Sequence, residues 1–343
     1  MEINEDYELL ELMVKDSALA EGIYSPGPYW KRKSQSALRQ IRQEGISDFR
    51  GRSNSIGLSF TDSELLDVTT VLVGMKYRIL SWVLSFPGLA RVHKAQVAAT
   101  QSHSDEKMFW KRAQLAGSAR VDELLTKYSV EDTTRAGCFD SVEVDNRTIS
   151  TLYLELLDTH DRLSEQIDYA RMHSMLEIGG GFGAYTHLLI LNYPNLKKFL
   201  YLDISPNLYI GTQYLKSHFP GAVRDYRELG KQDSIRFTKD DSLEILCITP
   251  FQLQEFVGSL DLIHNSNSFV EMPAEVVANY ADISFRSLAN DGAITLVSYD
   301  GFDKSTIAPQ DLPGFFSVEF ESSIIQTLGP GRTNYLFVHK PLT

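Results

Sequence analysis

The sequence lacks the features that mark several classes of protein. It contains two cysteines, Cys138 and Cys247, among 343 residues, which are too few for a disulfide framework and do not have zinc-site spacing. No group of His, Asp and Glu residues has metal-ligand spacing either, so no metal is predicted. The chain begins Met-Glu-Ile-Asn-Glu-Asp and shows no secretory signal pattern. We therefore expect a cytoplasmic protein in which Cys247, within an apolar run, is buried.

Long hydrophobic runs and an excess of basic charge are also absent. The most apolar segment, residues 68–86, carries Lys76 and Arg78 near its middle, which favours a buried helix over a membrane span. The formal net charge of −12 argues against nonspecific binding to nucleic acid or to an anionic membrane. Hydrophobic residues make up 43% of the chain, enough for a full core.

The stretch 175–184, Met-Leu-Glu-Ile-Gly-Gly-Gly-Phe-Gly-Ala, predicts a buried strand that leads into a glycine loop. Glycine permits positive φ and lets a ligand lie against bare backbone. A helix predicted over 185–192 then offers unpaired N–H groups to a ligand. The next apolar strand, 199–203, ends in Asp203, where a carboxylate can accept hydrogen bonds from ribose hydroxyls. Together these features predict a nucleoside-binding βαβ unit.

Glu177 helps to distinguish between two kinds of nucleoside ligand. Gly179, Gly181 and Ala184 also fit the dinucleotide pattern, but a pyrophosphate gains nothing from a carboxylate beside the loop. The pattern Glu-x-Gly-x-Gly-x-Gly resembles motif I of the class I S-adenosylmethionine-dependent methyltransferases, whose cofactor carries an ammonium and a sulfonium. The resemblance implies S-adenosyl-L-methionine as the cofactor. The candidate cofactor-binding residues are Glu177, Gly179, Gly180, Gly181, Gly183, Asp203, Ile204 and Asn265.

The first part of the chain is predicted to be mainly helical. Apolar spacing predicts helices over 6–21, 29–44, 61–86 and 105–128, followed by a loop over 129–147. The second helix starts a basic cluster of Lys31, Arg32, Lys33, Arg39, Arg42, Arg50 and Arg52. This cluster is either a solvated face or a site for an anionic acceptor such as a nucleotide sugar. We expect residues 1–150 to cover an acceptor site and residues 151–343 to form the methyltransferase domain.

The second part of the chain alternates strands with helices. Strands are predicted over 243–248, 260–264 and 293–298, and helices over 205–217 and 274–288, which indicates a parallel sheet. Two closing strands, 315–328 and 333–339, predict an antiparallel hairpin. The predicted fold is therefore α/β: a Rossmann-like class I methyltransferase sheet, mostly parallel with an antiparallel C-terminal hairpin, preceded by a mainly helical N-terminal region. A dinucleotide fold would need a further βαβ half.

Three segments together resemble one family, the bacterial sugar O-methyltransferases found with surface-polysaccharide and natural-product clusters. They are Tyr29-Trp30 with Asp48-Phe49-Arg50, the glycine loop with Asp203, and residues 261–273, Asp-Leu-Ile-His-Asn-Ser-Asn-Ser-Phe-Val-Glu-Met-Pro. The resemblance implies methyl transfer to a hydroxyl of a sugar or glycosylated metabolite. The partner would be a small-molecule acceptor, a sugar or nucleotide sugar, and a homodimer stays open.

Two residues are candidates for the catalytic base, because a sugar hydroxyl needs a group near its proton. His264 ends a predicted strand and is expected to point into the crevice beyond the strand ends. Glu271 follows at the start of the next helix. Each has a structural alternative, which is backbone hydrogen bonding for His264 and stabilisation of a helix N-terminus for Glu271.

Three other functions are compatible with the sequence. They are N- or O-methylation of a non-sugar natural product, an NAD-dependent oxidoreductase, and a non-catalytic nucleoside-binding module. Binding of S-adenosylhomocysteine rather than NAD would separate the methyltransferases from the oxidoreductase, and methyl transfer to any acceptor would exclude the binding module.

Overall fold

The computed structural model describes residues 3–47, 49, 113–130, 141–299, 307–326, 328 and 333–340. The helix predicted over 61–86, the beginning of the helix predicted over 105–128, and Cys138, Arg50 and Arg52 lie outside these residues. Within the described ranges, no helix is both long and apolar enough to cross a membrane.

Eight strands form one central sheet, in the order β5-β6-β4-β3-β7-β8-β10-β9. The strands are β3 Ser174–Ile178, β4 Lys198–Leu202, β5 Val223–Arg224, β6 Glu244–Ile248, β7 Leu260–Ser266, β8 Leu288–Tyr299, β9 Glu321–Gln326 and β10 Thr333–His339. All neighbouring strands are parallel except that β10 runs antiparallel to both β8 and β9. The predicted mostly parallel sheet with an antiparallel C-terminal hairpin is confirmed.

Helices cover both faces of this sheet, which explains why its central strands read as continuous apolar runs. The helices are α1 Tyr7–Ser17, α2 Pro28–Glu44, α3 Ala119–Lys127, α4 Thr151–Ser164, α5 Ala184–Asn192, α6 Asn207–His218, α7 Tyr226–Leu229 and α8 Ala274–Ser287. One core cluster joins Met175 and Cys247 of the sheet to α1, α4, α5 and α6. A second joins the opposite face to Val277 and Tyr280 of α8. Cys247 is buried, as expected.

Two predictions for the N-terminal half were wrong. The helix predicted over 105–128 is interrupted at Gly117, so α3 begins only at Ala119. The loop predicted over 129–147 contains β1, Ser141–Val144, which pairs with β2, Arg147–Ser150. The turn between them is Asp145-Asn146, both at positive φ. Such turns usually hold Asn-Gly or Asp-Gly, so this sequence did not signal a hairpin.

The N-terminal helix α1 is attached to the sheet domain by polar contacts as well as by the shared core. The Asp6 N–H donates to the Tyr209 hydroxyl over 3.0 Å, and Asp6 also pairs with Arg227. The Tyr226 hydroxyl donates to Asp16 over 2.8 Å. These contacts hold α1 against α6 and α7. The domain boundary at residue 150 stays a prediction.

Candidate functional site

The glycine loop between β3 and α5 depends on backbone conformations that favour glycine. Gly179, Gly181 and Gly183 have φ values of 70°, 63° and 88°, in the left-handed region. A Cβ on Gly179 would also lie 2.3 Å from the Ser268 Oγ. The loop therefore packs closely against the segment that follows β7, and a side chain at Gly179 would displace one of the two.

Asp203, directly after β4, holds the glycine loop through its carboxylate. Its Oδ2 accepts the Gly181 N–H over 2.7 Å, and its Oδ1 accepts the Ile204 N–H over 2.6 Å. The residue is 6% exposed and lines a cavity. Burial raises the pKa of Asp203 to about 7, although hydrogen bonds from the two N–H groups and from the Asn207 side chain oppose the rise. A carboxylate can accept about four hydrogen bonds, so a ligand hydroxyl could also be bound here.

Glu177, near the end of β3, is a second buried carboxylate at the same end of the cavity. It is 5% exposed, and its Oε2 accepts the Thr186 hydroxyl over 2.5 Å. Burial raises the pKa of Glu177 to about 8, and the Asp203 carboxylate adds to the rise. The hydrogen bonds that oppose the two pKa increases come from neutral groups, Thr186 for Glu177 and the Gly181 N–H, the Ile204 N–H and the Asn207 side chain for Asp203. Both acids thus receive hydrogen bonds from neutral groups in a buried site.

The cavity has a volume of about 350 Å³ and lies in the crevice beyond the carboxyl ends of the strands, where open α/β sheets bind ligands. The glycine loop, Asp203 and Ile204 follow β3 and β4 and line one end, whereas Tyr299 on β8 and Asn334 on β10 line the other. The end of β7 and the segment after it lie between them, with Ser268 against the glycine loop, and contribute Ser266, Asn267, Ser268 and Glu271. The remaining wall comes from the N-terminal region and α4, through Ile23, Tyr24, Ser25, Pro26, Gly27, Trp30, Lys33, Leu152, Glu155, Leu156 and Thr159. The N-terminal region therefore forms part of the cavity.

Glu271 is oriented by donors on both of its carboxylate oxygens. The Trp30 Nε1–H donates to Oε2 over 2.9 Å, and the Tyr299 hydroxyl donates to Oε1 over 2.9 Å. Trp30 lies on α2, Glu271 ends the short 3-10 helix Phe269–Glu271, and Tyr299 ends β8. The carboxylate is thus held at the cavity wall between the N-terminal region and the sheet.

His264 does not reach the crevice, contrary to expectation. It is 2% exposed and does not line the cavity. Its Nδ1 hydrogen-bonds the Thr295 hydroxyl over 2.7 Å, and its ring lies 4.3 Å from that of Tyr185. Burial lowers the pKa of His264 to about 3, which leaves a weak base. Strand β7 continues for two more residues to Ser266, which lines the cavity. His264 is on the same face of the sheet as Ser266 but lies about 6 Å further from the cavity along the strand.

Asn265 also lies away from the cavity, although it was a candidate cofactor residue. It is buried, and its Nδ2 donates to the Ile178 carbonyl over 2.9 Å and to the Ser268 Oγ over 2.5 Å. Its Oδ1 accepts the Phe269 N–H over 3.3 Å. Because strand side chains alternate between faces, Asn265 points to the side opposite His264. It joins the end of β3 to the loop after β7, which is a structural role.

The structure brings most of the other candidates together. Gly180 lines the cavity with Glu177, Gly179, Gly181, Asp203 and Ile204. Gly183 instead caps the N-terminus of α5 and is not a lining residue. Of the basic cluster, Lys33 lines the cavity, whereas Arg42 forms an exposed ion pair with Glu11. Among the side chains of the cluster that the structure describes, Lys33 is therefore the one that lines the cavity.

Sequence reasoning missed the residues that complete the site from distant segments. Tyr24, Thr159, Tyr299 and Asn334 line the cavity, and Trp30 was noted only as part of a family resemblance. The sequence Pro26-Gly27-Pro28 at the start of α2 is a local turn signal between Tyr24 and Trp30, but it does not indicate a binding site. Among the described residues, no group of three or more His, Cys, Asp or Glu side chains could hold a metal ion.

Comparison with known proteins finds similarity only among solved structures, since no family model and no curated protein matches the chain. An O-methyltransferase family protein from Burkholderia thailandensis is 11% identical, with a TM-score of 0.40 over 56% of this chain and 59% of that one. The PH0226 protein from Pyrococcus horikoshii is 14% identical, with a TM-score of 0.40 over 56% and 92%. A SAM-dependent methyltransferase from Aquifex aeolicus is 12% identical, with a TM-score of 0.35 over 54% and 91%.

This chain thus spans about three fifths of the length of the Burkholderia protein. The Rossmann-like fold follows from the order and direction of the strands themselves, in which a parallel sheet ends in an antiparallel hairpin.

Proposed function

We propose that the protein is an S-adenosylmethionine-dependent methyltransferase that acts on a hydroxyl of a sugar or glycosylated metabolite. The observation that carries the cofactor assignment is the pair of buried carboxylates, Glu177 and Asp203, at one end of the cavity. Burial raises the pKa of both acids and favours their neutral form, so a ligand that brings positive charge into the cavity would be favoured because it stabilises their ionised form. S-adenosylmethionine brings a sulfonium and an ammonium, whereas NAD would bring an anionic pyrophosphate towards two acids.

The residues at this end of the cavity fit the proposed cofactor. Asp203 would accept hydrogen bonds from the ribose hydroxyls with the capacity that the loop N–H groups leave unused. Gly179, Gly180 and Gly181 line the cavity, and the close packing of Ser268 on Gly179 and of Tyr201 on Gly180 fixes the loop that would bind the cofactor. Glu177 would stabilise the cationic groups of the cofactor. When bound, S-adenosylmethionine supplies an electrophilic methyl group on a positively charged sulfur.

Glu271 is proposed as the group that accepts the proton of the acceptor hydroxyl. Its two oxygens are oriented by Trp30 and Tyr299, and each oxygen of a carboxylate can accept more than one hydrogen bond. A fixed carboxylate of this kind can act as a general base and also orient the hydroxyl for in-line attack. Lys33 on the same wall suits a phosphate, so a nucleotide sugar is a candidate acceptor.

The N-terminal region, residues 1–150, is proposed to shape the acceptor site. Ile23, Tyr24, Trp30 and Lys33 line the cavity, and the Trp30–Glu271 hydrogen bond joins α2 to the proposed base. Loss of this region would open the cavity on one side and remove the Trp30 donor to Glu271.

Calorimetry with S-adenosylmethionine, S-adenosylhomocysteine and NAD tests the cofactor assignment. We expect binding of the first two and none of NAD. Asp203→Asn should weaken S-adenosylhomocysteine binding about 10- to 100-fold, because a charged hydrogen bond contributes about 1.5–3 kcal/mol. Asp225→Asn is a matched control, since Asp225 also accepts backbone N–H groups, at the start of α7, but does not line the cavity. Tight NAD binding without S-adenosylhomocysteine binding would instead support the oxidoreductase.

Methyl transfer from isotope-labelled S-adenosylmethionine tests the acceptor class. Free sugars, nucleotide sugars, glycosylated metabolites and non-sugar natural products would be compared, and NMR of the product would identify the methylated oxygen or nitrogen. We expect an O-methylated sugar. Cofactor binding with no transfer to any acceptor would support the nucleoside-binding module, and transfer to nitrogen or to a non-sugar hydroxyl would correct the acceptor class.

A further inference from the structure

Asn334 on β10 lies near the proposed base, where the antiparallel strands β8 and β10 border the cavity. It is the register partner of Tyr299 on β8, and directly opposed residues of an antiparallel pair have side chains on the same face of the sheet. The Tyr299 hydroxyl reaches Glu271 from that face. Asn334, Tyr299 and Glu271 all line the cavity, so they form one continuous part of its wall.

Among the described residues, no donor reaches the side-chain oxygen of Asn334. The residue is 6% exposed, and within the described part of the chain its buried Oδ1 has no partner. Buried amide groups in folded proteins nearly always have partners, so an orphan in a cavity wall indicates a ligand or water that completes it.

Asn267, directly after β7, also lines the cavity and resembles Asn334. Its buried Oδ1 likewise has no donor among the described residues, while its Nδ2 donates to the Ser266 hydroxyl over 3.2 Å. Its φ of 64° is one that asparagine tolerates better than most residues. Within the described part of the chain, two asparagines with unpartnered amide oxygens therefore line the same cavity as Glu271.

We propose that Asn334 and Asn267 bind the acceptor by accepting hydrogen bonds from two hydroxyl groups of a sugar ring. This proposal rests on the proposed function and adds the residues that select the acceptor. Amide and carboxylate oxygens only accept hydrogen bonds, so the bound group must donate. The hydroxyls of a sugar ring donate, whereas a phosphate or carboxylate group cannot. The sugar ring, and not the charged part of a nucleotide sugar, would then occupy this part of the cavity.

Thermal unfolding of the full-length chain tests whether the Asn334 side-chain oxygen lacks a hydrogen-bond donor in the ligand-free protein. Replacing an unsatisfied buried polar group by an apolar one of similar shape is neutral or stabilising, so Asn334→Leu should leave the Tm unchanged or raise it by about 1–2 °C. Asn192→Leu is the matched control, because Asn192 makes hydrogen bonds to Ser129 and Leu188. We expect Asn192→Leu to lower the Tm by several degrees. A comparable fall in Asn334→Leu would overturn the proposal.

Ligand binding tests the role of Asn334. Saturation-transfer NMR with glucose, galactose and rhamnose, on protein saturated with S-adenosylhomocysteine, should show binding by the wild type of at least one sugar. Asn334→Leu should lose this binding at least 10-fold and keep its S-adenosylhomocysteine affinity within about twofold. Asn334→Asp, which keeps an accepting oxygen, should retain binding, and Asn267→Gly should lose part of it.

The outcomes separate the two proposals. A wild type that does not bind S-adenosylhomocysteine overturns the proposed function. A wild type that binds S-adenosylhomocysteine but none of the sugars, or an Asn334→Leu variant that binds them as the wild type does, overturns the assignment of Asn334 alone.

Discussion

The two ends of the cavity are built in different ways. The proposed cofactor end comes from one short stretch of chain, 177–204, in which backbone N–H groups donate to the Asp203 carboxylate. The proposed acceptor end combines Trp30, Glu271, Tyr299 and Asn334 from four separate segments, and the contacts of Glu271 there are with side chains. The first end is determined by local backbone conformation, and the second by how distant elements pack.

This difference has a functional consequence. A site held by backbone N–H groups and positive-φ glycines tolerates few substitutions, because the requirement is on conformation. A site held by side chains from several elements can be changed one residue at a time while the fold is kept. We therefore expect substitutions at the acceptor end to alter turnover or acceptor choice, and those in the glycine loop to alter cofactor binding.

The largest expected effect separates the two candidate bases. Glu271→Gln should lower turnover about 10²- to 10⁴-fold, the usual contribution of one acid–base group, with unchanged S-adenosylhomocysteine affinity. His264→Phe should keep turnover per folded molecule near that of the wild type, because His264 does not line the cavity. Its cost should be in stability, since the Thr295 hydroxyl loses a partner. Steady-state kinetics on both variants, with folded fractions from circular dichroism, makes the comparison. The reverse result would restore His264 as the base.

Glycine substitutions separate two effects at the proposed cofactor end of the cavity, the close packing of the loop and the strain of a positive φ. Gly179→Ala should weaken S-adenosylhomocysteine binding about 10- to 100-fold, because its Cβ would meet Ser268 and move the loop. Gly221→Ala is the control: its φ of 85° is also left-handed, yet no atom lies within 4 Å of the added Cβ. Both variants should lose about 1–2 kcal/mol of stability from strain, but Gly221→Ala should bind normally. Equal binding by both would place the cofactor elsewhere.

The pH dependence of stability should report the buried state of His264. Burial holds its folded-state pKa at about 3, below the unfolded value near 6.5. The unfolded state therefore binds more protons, and the contribution of His264 is complete above pH 6.5 and is lost as the pH falls towards 3. In urea titrations between pH 6 and pH 4, the free energy of unfolding should fall about 1.4 kcal/mol per pH unit less steeply in His264→Phe than in the wild type. Parallel curves would show that His264 titrates normally.

The smallest expected effect concerns the contact between the N-terminal region and the base. Trp30→Phe keeps a ring in place but removes the donor to Glu271, while Tyr299 continues to donate. We expect turnover to fall about 5- to 10-fold through poorer positioning, with little change in S-adenosylhomocysteine affinity. A loss as large as that of Glu271→Gln would show that α2 does more than orient the carboxylate. Unchanged turnover would show that the N-terminal region covers the cavity but does not position the base.

Errors in sequence interpretation occurred where tertiary packing selects among residues that look equivalent. His264 is on the face of β7 that was predicted, but it does not end the strand. The strand was predicted to end at residue 264, whereas β7 extends two residues further to Ser266. Asn265, on the same strand, faced the other side of the sheet. A one-residue change of register reverses the face of a strand side chain, and residue types alone do not give that register.

The sequence by itself determined the sheet, the glycine loop and the position of Asp203. Apolar runs, glycines and a strand-end acid are local signals, and backbone geometry converts them directly into structure. Only the tertiary structure brought Trp30, Tyr299 and Asn334 beside Glu271, since these residues are far apart in the chain and none has a distinctive local pattern. Their proximity follows from the strand order β7-β8-β10 and from the contact of α2 with the segment after β7. Both depend on many long-range contacts together.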